Sequence, residues 1–426
     1  MSRVEFHPLG MREDGSEWIV GRADTGSHIA VPPHGVLAIR LLQQGLTTSE
    51  AALRIERETG QRTAVDSFVA SLAALGFVRR LDDREVSSPP PVRPTFPRLR
   101  AAHVRWALSP VLHGALLTVA FAGAVAAAFN PRLRPHWQDL LWSGQGTVVL
   151  AAQAALTWAL LFLHELAHLL TARAAGVPGR IRLGTRLQFL VMQTDVSGVW
   201  QCDRRTRFTV YLSGMVLDLA LAGGCLLAEA AAGPHRLLAV VVLTKLVAVA
   251  TELLVFMRTD VYFLLQDLLS CRNLYRDASA YARHLGSRLL RRPGRDPLTG
   301  LPPAEQRAVR SYALLMVAGS AGSLVLGYLI LTRVTLVLLG RALHTLAAPP
   351  GWTAAADAIT TAVVLLGLQG LWVAAWWRRH SARVRAGAQW GLSLRPVAVR
   401  RRDAAFRSVR FGCRLGRCLW SRRRGG

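Results

Sequence analysis

Lysine is all but missing from this chain: 51 of its 52 basic residues are arginine, and Lys245 is the exception. Acidic side chains are scarce as well, 26 in 426 residues, which leaves a formal charge of +26. Charged residues make up 18% of the sequence, against about a quarter in ordinary soluble proteins. Residues 1–30 lack the basic-then-apolar pattern of a secretory signal. The cysteines are few: Cys202, Cys225, Cys271, Cys413 and Cys418. None falls in a segment expected outside the cytoplasm, so no disulfide framework is implied, and Cys413 and Cys418 are too isolated for a metal knuckle. What is abundant is apolar. Hydrophobic residues are 51% of the chain, gathered in runs of about 20, long enough to cross a bilayer. These proportions argue against a soluble globular enzyme. The basic residues lie between and after the apolar runs, so the charge argues for topology and lipid contact, and no nucleic-acid partner is expected. Arginine in place of lysine, with alanine-rich apolar runs, fits a bacterial sequence of high GC content.

Six apolar segments are expected, at about 107–129, 147–170, 208–231, 236–257, 311–332 and 354–377. With the N-terminus inside, the inner loops 171–207 and 258–310 hold seven and ten arginines, and the tail 378–426 holds fifteen. The outer loops 130–146, 232–235 and 341–353 hold two, none and one. The positive-inside rule is met at every crossing. The expected fold class is mainly α, a polytopic membrane protein of about six transmembrane helices, with both termini cytoplasmic.

Ahead of the spans, residues 1–83 read as a small α+β domain, which about 80 residues can just support. Glu17–Val20 and His28–Val31 are strand-like and joined by the turn-rich Ala23-Asp24-Thr25-Gly26. Val36, Ile39 and Leu42 recur at helical spacing. Thr47-Thr48-Ser49-Glu50 is a capping box before a second helix that Gly60 can end. Val65, Phe68, Val69, Leu72 and Leu75 form one helical face, with Gly76 as the stop and Phe77-Val78 as a closing strand. Residues 84–105, rich in proline and arginine, read as an extended linker. The divisions that follow are a membrane core at 106–280, a loop with two further helices at 281–377 and a basic tail at 378–426.

The second apolar segment ends in His164-Glu165-Leu166-Ala167-His168. Histidines at i and i+4 share one helical face and can bind a single Zn²⁺, with the intervening glutamate placed as general base. Charge inside a membrane helix costs about 2.5–3.5 kcal/mol on insertion scales, so polar clusters there tend to be functional. The soluble-enzyme continuation, Gly at 171 and His at 174, is replaced by Thr171 and Ala174, so a third ligand must come from elsewhere. Glu229 lies toward the outer end of its segment. Glu252 lies nearer, and Asp260, level with the histidines, is the better placed.

The His164–His168 motif, with Asp260 in Met257-Arg258-Thr259-Asp260-Val261-Tyr262-Phe263 and a later Asp267-Leu268-Leu269, resembles the site-2-protease superfamily of membrane zinc peptidases. More narrowly it resembles the bacterial peptide zinc metalloproteases, whose second motif reads Asp-Gly-Tyr-Tyr followed by Asp-Leu-Leu. The resemblance spans about residues 100–280. It implies one zinc on His164, His168 and Asp260, with Glu165 as the catalytic base. Val261 replaces the family's glycine, and its preceding Asn-x-x-Pro is absent.

Asp267, seven positions after Asp260, reads either as support for a ligand or as the cap of a following turn. In the family a small and a polar residue of the third segment contact the site or substrate, here Gly214 and Asp218. Gly214 is equally suited to close helix packing, and Lys245 is a partner for Asp218 across to the fourth segment. Leu187–Met192 and Val196–Trp200 read as two strands around a turn, where the family has a hairpin that pairs with substrate. Ala318, Gly319, Gly322 and Ser323 read as helix packing. The head resembles the PqqD-type winged-helix domain, which implies binding of a peptide leader. The expected function is membrane zinc endopeptidase acting on a peptide or protein precursor, as in ribosomal peptide maturation. The alternative is a non-catalytic zinc-containing peptide-binding component for export or immunity.

Overall fold

The computed structural model describes residues 2–392, apart from 16, 187–188, 270–272, 290–294 and 348–350. Leu187, Gln188, Cys271, Cys413, Cys418 and the tail from residue 393 therefore lie outside the described residues, as does the side chain of Ser323. The chain is mainly helical and separates into two compact units. One contains residues 1–93, 197–201 and 375 onward; the other contains 94–196 and 202–374.

In the first unit, β2 (Gly10–Asp14), β3 (Glu17–Arg22) and β4 (Ser27–Val31) form an antiparallel sheet with β3 central, Trp18 opposite Val31. A second sheet has β5 (Val78–Leu81) between β1 (Val4–Phe6) and β6 (Arg84–Glu85). Between the sheets in sequence run α1 (Pro33–Gln43), α2 (Thr48–Thr59) and α3 (Val65–Ala74). The expected capping box is present: the Thr47 side chain accepts from the Glu50 amide and Glu50 Oε2 accepts from Thr47 N at 2.8 Å. Gly60 ends α2 with φ 68°, a left-handed conformation that glycine adopts without Cβ strain. Val20, Val31, Ile39, Leu42, Ile55, Leu72 and Phe77 make one closed core.

Arg22 is buried in that unit. Its Nε and Nη2 donate to the Asp24 carboxylate at 3.0 and 2.6 Å, and Nη1 donates to Gly76 O at 2.8 Å. The arginine's hydrogen bond holds the Asp24 carboxyl below its ordinary value. A lowered carboxylate contributes stability above its unfolded pKa and loses it as pH falls through the folded one. Asp24→Asn should therefore flatten the acid dependence of head stability, read as amide exchange at Val20 and Phe77 between about pH 6 and 3.

The second unit begins with a 3-10 run, Ala101–Leu108, then α4 (Pro110–Phe129), α5 (Gly146–Ala174), the hairpin β7 (Arg180–Arg186) and β8 (Phe189–Asp195), and α6 (Arg204–Ala232). It continues with α7 (Arg236–Glu252), α8 (Asp260–Leu268), α9 (Leu274–Leu289), α10 (Pro303–Ala347) and α11 (Trp352–Leu392), of which residues up to 374 belong here. Among the described residues, four helices are long and apolar enough to cross a membrane: α4, α5, α6 and the Trp352–Leu371 part of α11.

Two of the six expected segments come out differently. The 236–257 segment ends as a helix at Glu252 after 17 residues, about 26 Å of rise against a hydrocarbon core of about 30 Å. The chain then breaks and turns through Arg258, at φ 59°. The 311–332 segment and the expected loop after it run on as one 45-residue helix, α10. The expected strand pair is shifted too. β8 covers most of the first predicted strand, its partner is the earlier β7, and Ser197–Gln201 is a 3-10 turn. Apolar residues suited either strand, and the pairing with β7 selects one.

Close helix contacts come from glycine pairs. A Cβ on Gly123 of α4 would meet Gly223 of α6 at 2.4 Å, so both must lack one. Gly319 of α10 makes the same allowance for Phe256, while Gly322 has open space. Asp357 of α11 accepts from Gly146 N and Thr147 N, both at 3.0 Å, and so caps the N-terminus of α5. That satisfies backbone donors that would otherwise be left over at a helix start.

Candidate metal centre

The site is built from α5, α6 and the first turn of α8. His164 and His168 are one helical turn apart on α5, and both are buried. Asp260 is the first residue of α8. Its Oδ2 lies 3.1 Å from His164 Nε2 and 2.7 Å from His168 Nε2, and the two Nε2 atoms are 3.1 Å apart. One ligand atom from each of the three residues thus converges on a point. Tetrahedral zinc with bonds of about 2.0–2.1 Å separates its donors by about 3.3 Å, so the three atoms need to move apart by only a few tenths of an ångström.

The outer nitrogens are fixed in the sense that metal binding needs. His168 Nδ1 donates to Val210 O at 2.7 Å, with Ser213 Oγ at 3.3 Å. His164 Nδ1 donates to Asp218 Oδ2 at 2.9 Å. With Nδ1 protonated in both rings, Nε2 is left as the free lone pair on each. Thr171, where the soluble pattern would have glycine, is bonded back to Ala167 O and His168 O and lies 3.2 Å from Ser213 Oγ. It braces the helix turn behind His168.

Asp218 and Lys245 are paired, as their chemistry in apolar segments suggested. Asp218 is fully buried, and its Oδ1 accepts from Lys245 Nζ, which also donates to Leu160 O at 2.9 Å. Removing two charges from water costs several kcal/mol each, so such a pair survives only when its remaining bonds are satisfied. Here the carboxylate is shared between an ammonium and an imidazole. Were zinc held by this group, Asp218→Asn would lower its affinity about 10- to 100-fold, the usual cost of losing an outer partner of a ligating histidine. Competition with a fluorescent chelator measures it.

Gly214 faces the centre directly. A Cβ there would lie 2.5 Å from His168 Nε2 and 2.6 Å from His164 Nε2. The expectation of helix packing at this glycine is replaced by a closer one: its missing side chain leaves the space beside the ligand atoms.

Asp267 is engaged elsewhere. Arg207, almost wholly buried on α6, donates Nε and Nη2 to its two oxygens at 2.6 and 2.7 Å, and Nη1 to Cys202 O at 2.8 Å. It ties α8 to α6 and so fixes the helix that presents Asp260. Glu252, weighed as a ligand from sequence, holds Asp260 from behind. Its Oε2 accepts from Asp260 N at 2.8 Å, and its carbonyl accepts from Thr259 Oγ1 at 2.6 Å. A carboxylate eight residues upstream of a helix start was the available signal for that cap. Glu229 accepts from His235 N at 3.2 Å at the far end of α6. Val261 sits in the helical turn of α8, and the left-handed residue is Arg258, stacked over Tyr275 at 5.4 Å. The glycine of the family motif is therefore not needed by this backbone.

Glu165 is 6% exposed and next to His164 on α5. Its carbonyl accepts from Thr194 Oγ1 of β8 at 3.0 Å, which pins the hairpin to the motif helix. The residues His164, His168 and Asp260 form a group that could hold a metal ion. No family model, curated protein or solved structure matches the chain.

Proposed function

We propose that this chain is a site-2-protease-like zinc metalloendopeptidase of the bacterial membrane, multi-pass, with both termini in the cytoplasm. The observation that carries the proposal is the convergence of Asp260 of α8 with His164 and His168, which lie with Glu165 on a helix long enough to cross a membrane. Two imidazoles and one carboxylate are the donor set of a zinc site with an open position. Bound there, zinc would supply Lewis acidity toward a peptide carbonyl. Glu165 takes the proton of the attacking water and delivers it to the leaving amine. Asp218 and the Val210 carbonyl hold the two imidazoles in register, and Glu252 and Arg207 hold the turn that carries Asp260. The apolar surroundings exclude bulk water and strengthen each of these interactions.

The head domain fits a winged-helix module that binds a peptide leader. The outer strands of its β2–β3–β4 sheet, β2 and β4, support a reading in which the leader adds as a further strand. Tethering a precursor there raises its effective concentration at the membrane site. The substrate is then a peptide or membrane-associated precursor.

Zinc content of the detergent-purified protein, wild type against Asp260→Ala, tests the reading. One zinc per chain is expected, with affinity reduced about 10²- to 10³-fold in the variant, its share of a site worth some 10–16 kcal/mol. Metal-replete wild type without zinc would sink the proposal and leave a peptide-binding component in its place.

A further inference from the structure

Between Glu85 and Asp139 the chain holds six arginines and no acidic residue. Three of the six, Arg98, Arg100 and Arg105, come just ahead of α4, and all three are exposed. None of them is ion-paired among the described residues. Two aromatic rings share the segment: Phe96 is 40% exposed and Trp106 is 56% exposed.

The segment is fastened down. Thr95 N donates to Gly179 O at 3.2 Å, and Thr95 Oγ1 accepts from Ile181 N at 2.7 Å. Phe96 O accepts from Arg173 Nη2 at 3.1 Å, near the end of α5. The 3-10 run Ala101–Leu108 packs on α5. It has an inner side, the buried Val104 and Ala107, and an outer side, Arg105 and Trp106. The guanidinium groups therefore project from a built surface, with less freedom to lose on binding than arginines of a loose tail.

Length places the segment in depth. α4 has 20 residues, about 30 Å of rise, which matches the hydrocarbon core of a bilayer. With α4 as a span, its N-cap Ser109 marks the border, and the residues before it fall at headgroup depth. Tryptophan is enriched at that level, and the arginine fork meets phosphate through two donors. An acidic protein would answer the charge but not the exposed rings beside an apolar helix. We propose that residues 94–109 form a site for anionic phospholipid headgroups. Arg98, Arg100 and Arg105 hold the phosphate, and Phe96 and Trp106 enter the acyl border. The proposal rests on the membrane reading of α4 and is independent of the metal. Because the run packs on α5, lipid held there also sets the depth of His164 and His168.

The test uses the full-length protein in phosphatidylcholine nanodiscs with a trace of phosphatidylglycerol that carries a diazirine on its headgroup. Peptides covering residues 94–109 should take the label. Unlabelled phosphatidylglycerol should displace it where extra phosphatidylcholine does not. Arg105→Gln should cut labelling about fivefold, the factor that one basic residue contributes near an anionic surface. Glutamine at all three of Arg98, Arg100 and Arg105 should cut it by roughly tenfold or more. Lysine at all three keeps the charge and should stay within about threefold of wild type, which separates loss of the site from loss of the fold. Equal labelling by a phosphatidylcholine probe, labelling untouched by the glutamines, or label confined to other segments would each overturn the site. So would displacement by polyglutamate or by soluble glycerol phosphate. Incorporation into nanodiscs without labelling defeats the headgroup site alone, whereas a chain that stays in solution without detergent or lipid defeats the membrane reading.

Discussion

Glu165→Gln should lower peptide hydrolysis about 10²- to 10⁴-fold, the range contributed by a positioned general base, and leave zinc content at the wild-type level. The two parts of that outcome come from different geometry. Glu165 contributes none of the three converging ligand atoms, so the metal loses nothing by the change. The amide is nearly isosteric with the carboxylate but cannot take up the proton of the attacking water or return it to the amine. Because the carbonyl of residue 165 is bonded to Thr194, the position of the helix turn does not depend on the side chain. Cleavage of a denatured apolar reporter, followed by mass spectrometry with metal analysis of the same sample, reads both. Turnover at the wild-type rate would remove the peptidase assignment.

Gly214→Ala should fold and yet fail to hold zinc. Helix propensity alone argues the other way, since alanine in place of a mid-helix glycine stabilises by about 0.5–1 kcal/mol. The new methyl group, however, would sit 2.5–2.6 Å from both ligating Nε2 atoms. In the metal-free protein the ring ends can turn aside, with loss of the bonds to Asp218 and Val210. In the metal-bound protein they cannot, because the bonds to the metal fix them. The expected result is a thermal midpoint at or below that of metal-free wild type, since the lost buried bonds outweigh the gain in helix propensity, with no rise when zinc is added. Wild type should gain stability with zinc by mass action. Scanning calorimetry with and without zinc separates the two. A full zinc-dependent rise in the variant would show that Gly214 lies further from the centre than its geometry here.

How much was legible in the sequence depends on how local each signal is. The capping box at Thr47 and the left-handed stop at Gly60 are written within a few residues, and the structure has them as expected. So is the shared face of His164 and His168, fixed by the helical period alone. Asp260 could be favoured from its depth, just beyond the cytoplasmic end of the fourth segment and level with the histidines. β1 and β6 are too short to show a period, and β1 exists because Val4 meets Leu81 across the domain. The cap that Asp357 gives to Gly146 joins residues 211 apart, and no local pattern marks either end. Asp267 was placed by helical spacing from Asp260, but Arg207 reaches it from α6 first. The slipped hairpin has the same origin: alternation finds a strand, and only its partner sets where it starts and stops. The 17-residue α7 followed the same rule in reverse. Its apolar run continues past Glu252, but the chain breaks there so that α8 can begin at Asp260.

Lys245 has one more consequence, for chemistry at the bench. It is the chain's one lysine and is 2% exposed, locked to Asp218 and Leu160. Amine acylation of the folded protein beyond its amino terminus therefore requires the interior between α5, α6 and α7 to come apart. The rate of that single mass increment is a clock for the opening of the metal centre, with no engineered label. Zinc, or a substitution on α11 where it caps α5, would each be read by the same side chain as a slower or faster reaction.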